Sequence, residues 1–91
     1  QYRSEMGIMG DILDVTMDGG QTGVIVSAIS RKANLSHYAV LDKCEKLINA
    51  GLMQSERRDR NRLFRITGKG LDFIQEFQKF QNLIESMNLR Y

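Results

Sequence analysis

Apolar side chains recur along the 91-residue chain at two periods, and the places where the period changes mark its elements. Ile8, Ile12 and Val15 or Thr16, with Met9 and Leu13 alongside, fall at helical spacing. They predict a first helix capped by Ser4 and running through Met17, ended by Asp18, Gly19 and Gly20 because glycine readily takes the positive φ that follows a helix. The β-branched Val24, Ile25 and Val26 then predict a short extended segment over 23–26. Ser27 is the candidate cap of a second helix through Ala33, with Thr22 as an alternative, earlier start. Asn34, Leu35 and Ser36 predict a tight turn, Leu35 dipping into the core and Ser36 capping a third helix to about Ala50. On that helix Val40, Cys44, Leu47 and Ile48 form an inward stripe, while His37, Tyr38, Asp42, Lys43 and Lys46 lie off it.

Past Gly51 the period shortens. Residues 52–57 and 62–67 read as strands around Arg58, Asp59, Arg60 and Asn61, with Phe64 and Ile66 on one face and Leu63 and Arg65 on the other. This is a β-hairpin. Thr67 caps a last helix that could run unbroken to Tyr91, about 36 Å at 1.5 Å per residue. It carries two stripes. Leu71 and Ile74 can pack on the domain, whereas Phe73, Phe77, Phe80, Ile84, Met87 and Tyr91 step by fours and threes as a heptad seam. Left in water that seam would be an apolar patch of the kind that marks an interface, and self-association is the simplest way to cover it. The alternative is that the segment after Phe80 folds back over its own domain.

Helix, short strand, helix, tight turn, helix, hairpin and long helix is the order of a winged helix-turn-helix. The expected fold is therefore mainly α with a small β-hairpin (α+β). Residues 1–70 form a DNA-binding domain of that kind, and 71–91 a C-terminal coiled-coil dimerisation helix.

Charge adds a location. The net charge is only +2, but 1–23 holds one arginine against four acids, and 52–70 holds five arginines and Lys69 against Glu56 and Asp59. Positive charge thus gathers at the hairpin, as a surface that meets an anion requires. A helix that enters a major groove must present polar side chains from its first turns. The helix capped by Ser36 fits, with His37, Tyr38, Asp42 and Lys43 facing the groove and Arg31 and Lys32 placed to meet phosphate. Arg57, Arg58, Arg60 and Arg62 in the hairpin are the expected wing contacts, since arginine suits narrow, negatively charged grooves. The competing reading is a solvated hairpin whose charges only discourage edge-to-edge sheet pairing.

Other classes find little support. His37 and Cys44, the sole histidine and cysteine, are seven positions apart on one helix, about 10 Å along its axis and too far to act as nucleophile and base. Nor can they supply the three or four ligands of a metal site. No catalytic triad, paired catalytic carboxylates or Gly-rich phosphate loop is visible, so no enzyme, metal or small-molecule cofactor is expected. Cys44 reads as a small buried hydrophobe and the five methionines as core filler. Hydrophobic residues make up 42% and charged residues 26% with no proline, an ordinary folded composition. Uninterrupted apolar runs stay far below the ~20 residues of a membrane span, and the first residues lack a signal-peptide pattern, so an intracellular protein is expected.

The segments Gly10-Asp11-Ile12-Leu13, Ser30-Arg31-Lys32-Ala33-Asn34-Leu35-Ser36, Gly51-Leu52-Met53 and Ile66-Thr67-Gly68-Lys69-Gly70-Leu71 together resemble the small archaeal winged-helix DNA-binding proteins. That group comprises the ten-kilodalton a-type chromatin-associated proteins and related archaeal regulators. The resemblance covers nearly the whole chain. It implies a homodimer made by an antiparallel coiled coil of the final helices, and two recognition helices and two wings displayed to duplex DNA. It further implies contacts at His37, Tyr38 and the hairpin arginines, and a nucleoid-associated place in the cytoplasm. The recognition helix here is less basic than an architectural coat protein would show, and Asp42 repels phosphate. The expected function is therefore a dimeric transcription regulator. A non-specific architectural nucleoid protein, or a winged-helix protein-interaction module that does not bind DNA, are the alternatives.

Overall fold

Ser4 opens the first helix as the spacing predicts. Its hydroxyl oxygen accepts the Gly7 amide at 2.9 Å, and α1 spans Glu5–Gly19 in the computed structural model, which describes residues 3–89. α1 continues past Met17 because Gly20, at φ 56°, is the residue that turns the chain, sending its N–H back to the Met17 carbonyl. A 3-10 turn, Gly20–Thr22, follows. Then come α2 (Val26–Ala33), α3 (His37–Asn49), β1 (Met53–Arg58), β2 (Asn61–Ile66) and α4 (Gly68–Ser86).

The extended segment expected over 23–26 shrinks to one bridge. Val24 and Phe64 exchange both backbone hydrogen bonds, at 2.9 and 2.8 Å, which ties β2 to the chain before α2. The pairing goes no further because the Ile25 carbonyl already accepts the Ala28 and Ile29 amides. Helix α2 therefore starts at Val26, with Ile25 as its cap and no side-chain cap bond, and not after Ser27 or Thr22. At its other end Asn34 takes the left-handed conformation, φ 56°, and the Ser30 hydroxyl donates to the Leu35 carbonyl. Arg3 reaches over from the start of α1 and donates to the Ala33 carbonyl at 3.0 Å, so the turn between α2 and α3 is fixed from two sides. Ser36 caps α3 by accepting the Ala39 amide at 3.1 Å.

One core joins every element. It gathers Ile12 and Leu13 from α1, Ile29 from α2, Val40, Cys44 and Leu47 from α3, Met53 and Phe64 from the hairpin, and Ile74 and Phe77 from α4. Thr16 is the buried polar residue among them, and its hydroxyl is satisfied by the Ile12 and Leu13 carbonyls. The hairpin turns in two residues, Asp59 and Arg60, with Asp59 at φ 56°, so each strand is one residue longer at the tip than the alternation predicts.

Helix α4 differs most from its sequence pattern. It stops at Ser86 instead of running to Tyr91, because Asn88 turns left-handed at φ 58° and the Leu89 amide bonds back to the Ile84 carbonyl at 2.9 Å. Its 19 residues make a rod of about 28 Å. Its buried side is Gly70, Ile74, Phe77 and Ile84, so two members of the expected seam, Phe77 and Ile84, turn inward within the chain. Phe77 packs where α1 carries Gly10: a Cβ there would sit 2.5 Å from the Phe77 ring. The half-buried Phe73 stacks on Phe77, ring centroids 6.0 Å apart. Leu71, expected on the domain side, is exposed. Phe80 and Met87 stay at the surface, and Leu83 and Leu89, outside the expected seam, join them. Tyr91, the last seam residue, lies outside the described residues.

Candidate nucleic-acid interface

At 100° per residue, the side chains of α3 opposite its buried stripe are Tyr38, Asp42, Glu45 and Asn49, with Leu41 on the hairpin side and Lys46 on the α1 side. All are exposed, Tyr38 to 81%. His37, at the first helical position, is exposed as well. The hairpin lies against one flank: Arg62 of β2 bonds Glu45 of α3 at 2.8 Å, reaches Ser55 at 3.1 Å and covers the Phe64 ring, 4.9 Å from its centroid. Between this wing and the two helix starts runs a groove of about 260 Å³ lined by Ile25, Val26, Ser27, His37, Arg60, Asn61 and Arg62. The wing tip and the beginning of α3 thus share one surface.

Cross-strand register sorts the hairpin arginines by face. Arg57 pairs with Arg62 and Ser55 with Phe64, so Arg57 lies on the face that carries the buried Phe64 and meets α3. Glu56, Arg58 and Arg65 share the opposite face. There Glu56 bonds Arg65 at 2.6 Å and Arg58 at 2.9 Å, and those two guanidinium groups, Arg65 foremost, hold its carboxyl below the usual range. Arg65 also donates to the Gln21 carbonyl at 2.7 Å, which braces the wing against the 3-10 turn that follows α1.

The remaining cations divide in the same way. Lys43 and Lys46 converge on Glu5 of α1, at 3.0 and 2.8 Å. Lys43, expected to face the groove, is therefore turned toward α1 and also lies 3.6 Å from Asp42. Lys69 donates to the Ala50 carbonyl. Among the described residues, Arg31, Lys32, Arg57 and Arg60 are exposed and make no ion pair. Two stand beside the turn before α3 and two at the wing, so unpaired positive charge brackets the start of α3.

The Glu5 cluster has a pH signature. Hydrogen bonds from Lys46 and then Lys43 lower the Glu5 carboxyl from 4.5 to about 2. A carboxylate whose folded value is depressed contributes stability above its unfolded value and loses it as pH falls toward the folded one. Denaturant midpoints measured from pH 5 down to pH 2 should fall less steeply for Glu5→Gln than for the unaltered chain, whose advantage is largest at neutral pH, modest because the pairs are solvent-exposed, and closes as pH nears 2.

Cys44, buried in the core, has its thiol pushed up to about 12 by burial, partly countered by Arg62. It is held as a thiol beneath α3. Among the described residues no group of three His, Cys, Asp or Glu side chains could hold a metal ion, and no helix is long and apolar enough to cross a membrane.

Comparison with known proteins gives the same architecture. A family model described as winged helix-turn-helix matches residues 2–85. No curated protein sequence matches the chain. Among solved structures, BpsR of Bordetella bronchiseptica, whose DNA binding is regulated by 6-hydroxynicotinic acid, superposes with a TM-score of 0.79 at 18% identity over 88% of this chain. This chain spans 58% of that protein's length. Sso10a-2, a DNA-binding protein from Sulfolobus solfataricus, gives 0.73 at 21% identity over 94% of this chain and 90% of its own. The transcriptional regulator BldR from Sulfolobus solfataricus gives 0.77 at 21% identity, with 88% and 58% covered. At these identities the likeness is one of fold.

Proposed function

This chain belongs to the winged helix-turn-helix family, and from that premise we propose that it is a homodimeric transcription regulator that binds duplex DNA. Helix α3 enters the major groove and the hairpin lies on the neighbouring backbone. The observation that carries the reading is the division of the cations. Arg3, Lys43, Lys46, Arg58, Arg62, Arg65 and Lys79 are bound to carboxylates, while Arg31, Lys32, Arg57 and Arg60 are left to bracket the exposed start of α3. Phosphates spaced along a duplex are the partner such an arrangement fits.

Ser36 fixes the start of α3, and His37 and Tyr38 are the first side chains it offers to base edges. Asp42 and Glu45 on the same face disfavour indiscriminate phosphate coating, which supports a selective regulator over an architectural protein. Structural likeness to Sso10a-2 and BldR agrees with the archaeal resemblance of the sequence. Dimerisation falls to the exposed edge of α4, where Phe80, Leu83 and Met87 follow each other by three and four positions. The DNA partner places the protein on the nucleoid.

Salt dependence tests this reading. Each phosphate contact adds roughly 0.9 to the slope of log affinity against log salt. Arg57→Ala with Arg60→Ala should reduce the slope by about 2 for each protomer on the duplex, about 4 for the dimer, and weaken binding to all duplexes alike. Unchanged affinity and slope would remove the wing from the interface. Sedimentation equilibrium that returned a monomer at every concentration would remove the dimer.

A further inference from the structure

The exposed face of α3 is short of the side chains that usually read guanine. Arginine and lysine make the commonest specific contact with the guanine major-groove edge, and asparagine or glutamine with adenine. Here both lysines of α3 turn toward Glu5, and Asn49 stands at the far end of the helix. Beside His37, Asp42 and Glu45, the first turns present an apolar pair: Tyr38, 81% exposed, and Leu41, 39% exposed, three positions apart and so neighbours on the surface. In the free chain such a pair adds only about 0.2–0.5 kcal/mol to the helix, so most of the Tyr38 surface is left open to a partner. Arg31 and Lys32 on one side and Arg57 and Arg60 on the other would hold a duplex against this patch, and Asp42 beside it keeps phosphate away, so base edges and not backbone must lie over it.

Resting on the DNA-binding reading above, we infer that Tyr38 and Leu41 are specificity-determining residues that pack against the C5-methyl groups of thymine in the major groove. The thymine methyl is the apolar feature a base pair presents there, and leucine and tyrosine carbon can desolvate it. Selectivity then follows thymine position. It comes from burial of methyl groups more than from hydrogen bonds, and it varies less with salt than total affinity does.

Deoxyuridine isolates this contact, since replacing thymine with it removes the methyl and leaves Watson–Crick pairing in place. A duplex selected from random sequence is compared with copies in which single thymines are replaced in turn. The expected result is a loss of about fourfold for each methyl that becomes buried, confined to one or two positions in each half-site. The double variant Tyr38→Ala with Leu41→Ala should bind the thymine and deoxyuridine duplexes equally, with its salt slope intact. Its fold is checked by thermal melting, and the arm with the unaltered protein needs no variant. Equal affinity of the unaltered protein for both duplexes overturns the inference while leaving DNA binding in place. A small loss spread evenly over every position, which signals altered duplex stiffness, also overturns it, as does discrimination that survives in the double variant. Failure to bind any duplex is a different outcome: it defeats the DNA-binding reading, and this inference falls with it.

Discussion

Gly70→Ala should cost about 3 kcal/mol or more of folding stability and lower the thermal midpoint by on the order of 10–20 °C. A Cβ at this buried position would stand 2.1 Å from the Leu52 carbonyl oxygen, 3.1 Å from its carbon and 2.6 Å from Ile66 Cγ1. The first two are backbone atoms at the entry to β1, and they cannot rotate away as a side chain could. The Leu52 carbonyl also accepts the Thr67 amide at 3.1 Å, so moving it breaks the joint between β1 and the start of α4. Both strands of the wing and the first turn of α4 hang on that point. Circular dichroism melts of the variant check the size of the effect, and a midpoint within a few degrees of the parent would show that this junction yields easily.

Phe64→Ala should cost about 3–5 kcal/mol, the usual range for removing a fully buried aromatic side chain. Phe64 is wholly buried, and it joins β2 to the rest of the chain by backbone and ring together. Its backbone pairs with Val24, its cross-strand neighbour is Ser55, and its ring lies under Arg62, which in turn holds Glu45 of α3. Loss of the ring therefore loosens the wing from α3 as well as lowering stability. Phe64→Leu, which refills much of the volume, should recover more than half of the loss in denaturant unfolding. If the two variants were equally destabilised, the ring's contacts with Arg62 would matter more than the volume it fills.

The chain announces some of these features openly. Ser4, Ser36 and Thr67 each stand one residue before a helical apolar pattern, and each accepts an amide three residues on, because a hydroxyl at that position satisfies a donor the helix leaves unpaired. The hairpin was legible from alternation, since one face of it is buried. The start of α2 was not legible: Val24, Ile25 and Val26 look like a strand, yet only Val24 pairs, and Ile25 caps without a side-chain acceptor, so no local signal marks the change.

The last helix misled for a different reason. Phe77 fits both a stripe shared with Ile74 and a stripe shared with Phe73 and Phe80, and spacing alone cannot decide which partner a residue on the border will meet. Asn88 was the available sign of the helix end, because asparagine is the residue after glycine that most readily turns left-handed there. On the interface, the sequence located the cations but could not show which were already engaged. Lys43 and Arg58 looked as available as Arg31 and Arg60 until Glu5 and Glu56 were placed beside them.

The sealed sulfur beneath α3 makes the chain its own stopwatch. With the thiol pushed up to about 12 and fully covered, an alkylating reagent can react only during the moments when the helix lifts from the body of the protein. Because Cys44 is the sole cysteine, every labelling event reports the same motion. Ligands that pin the helix down will lengthen the interval between events, in proportion to how tightly they hold it.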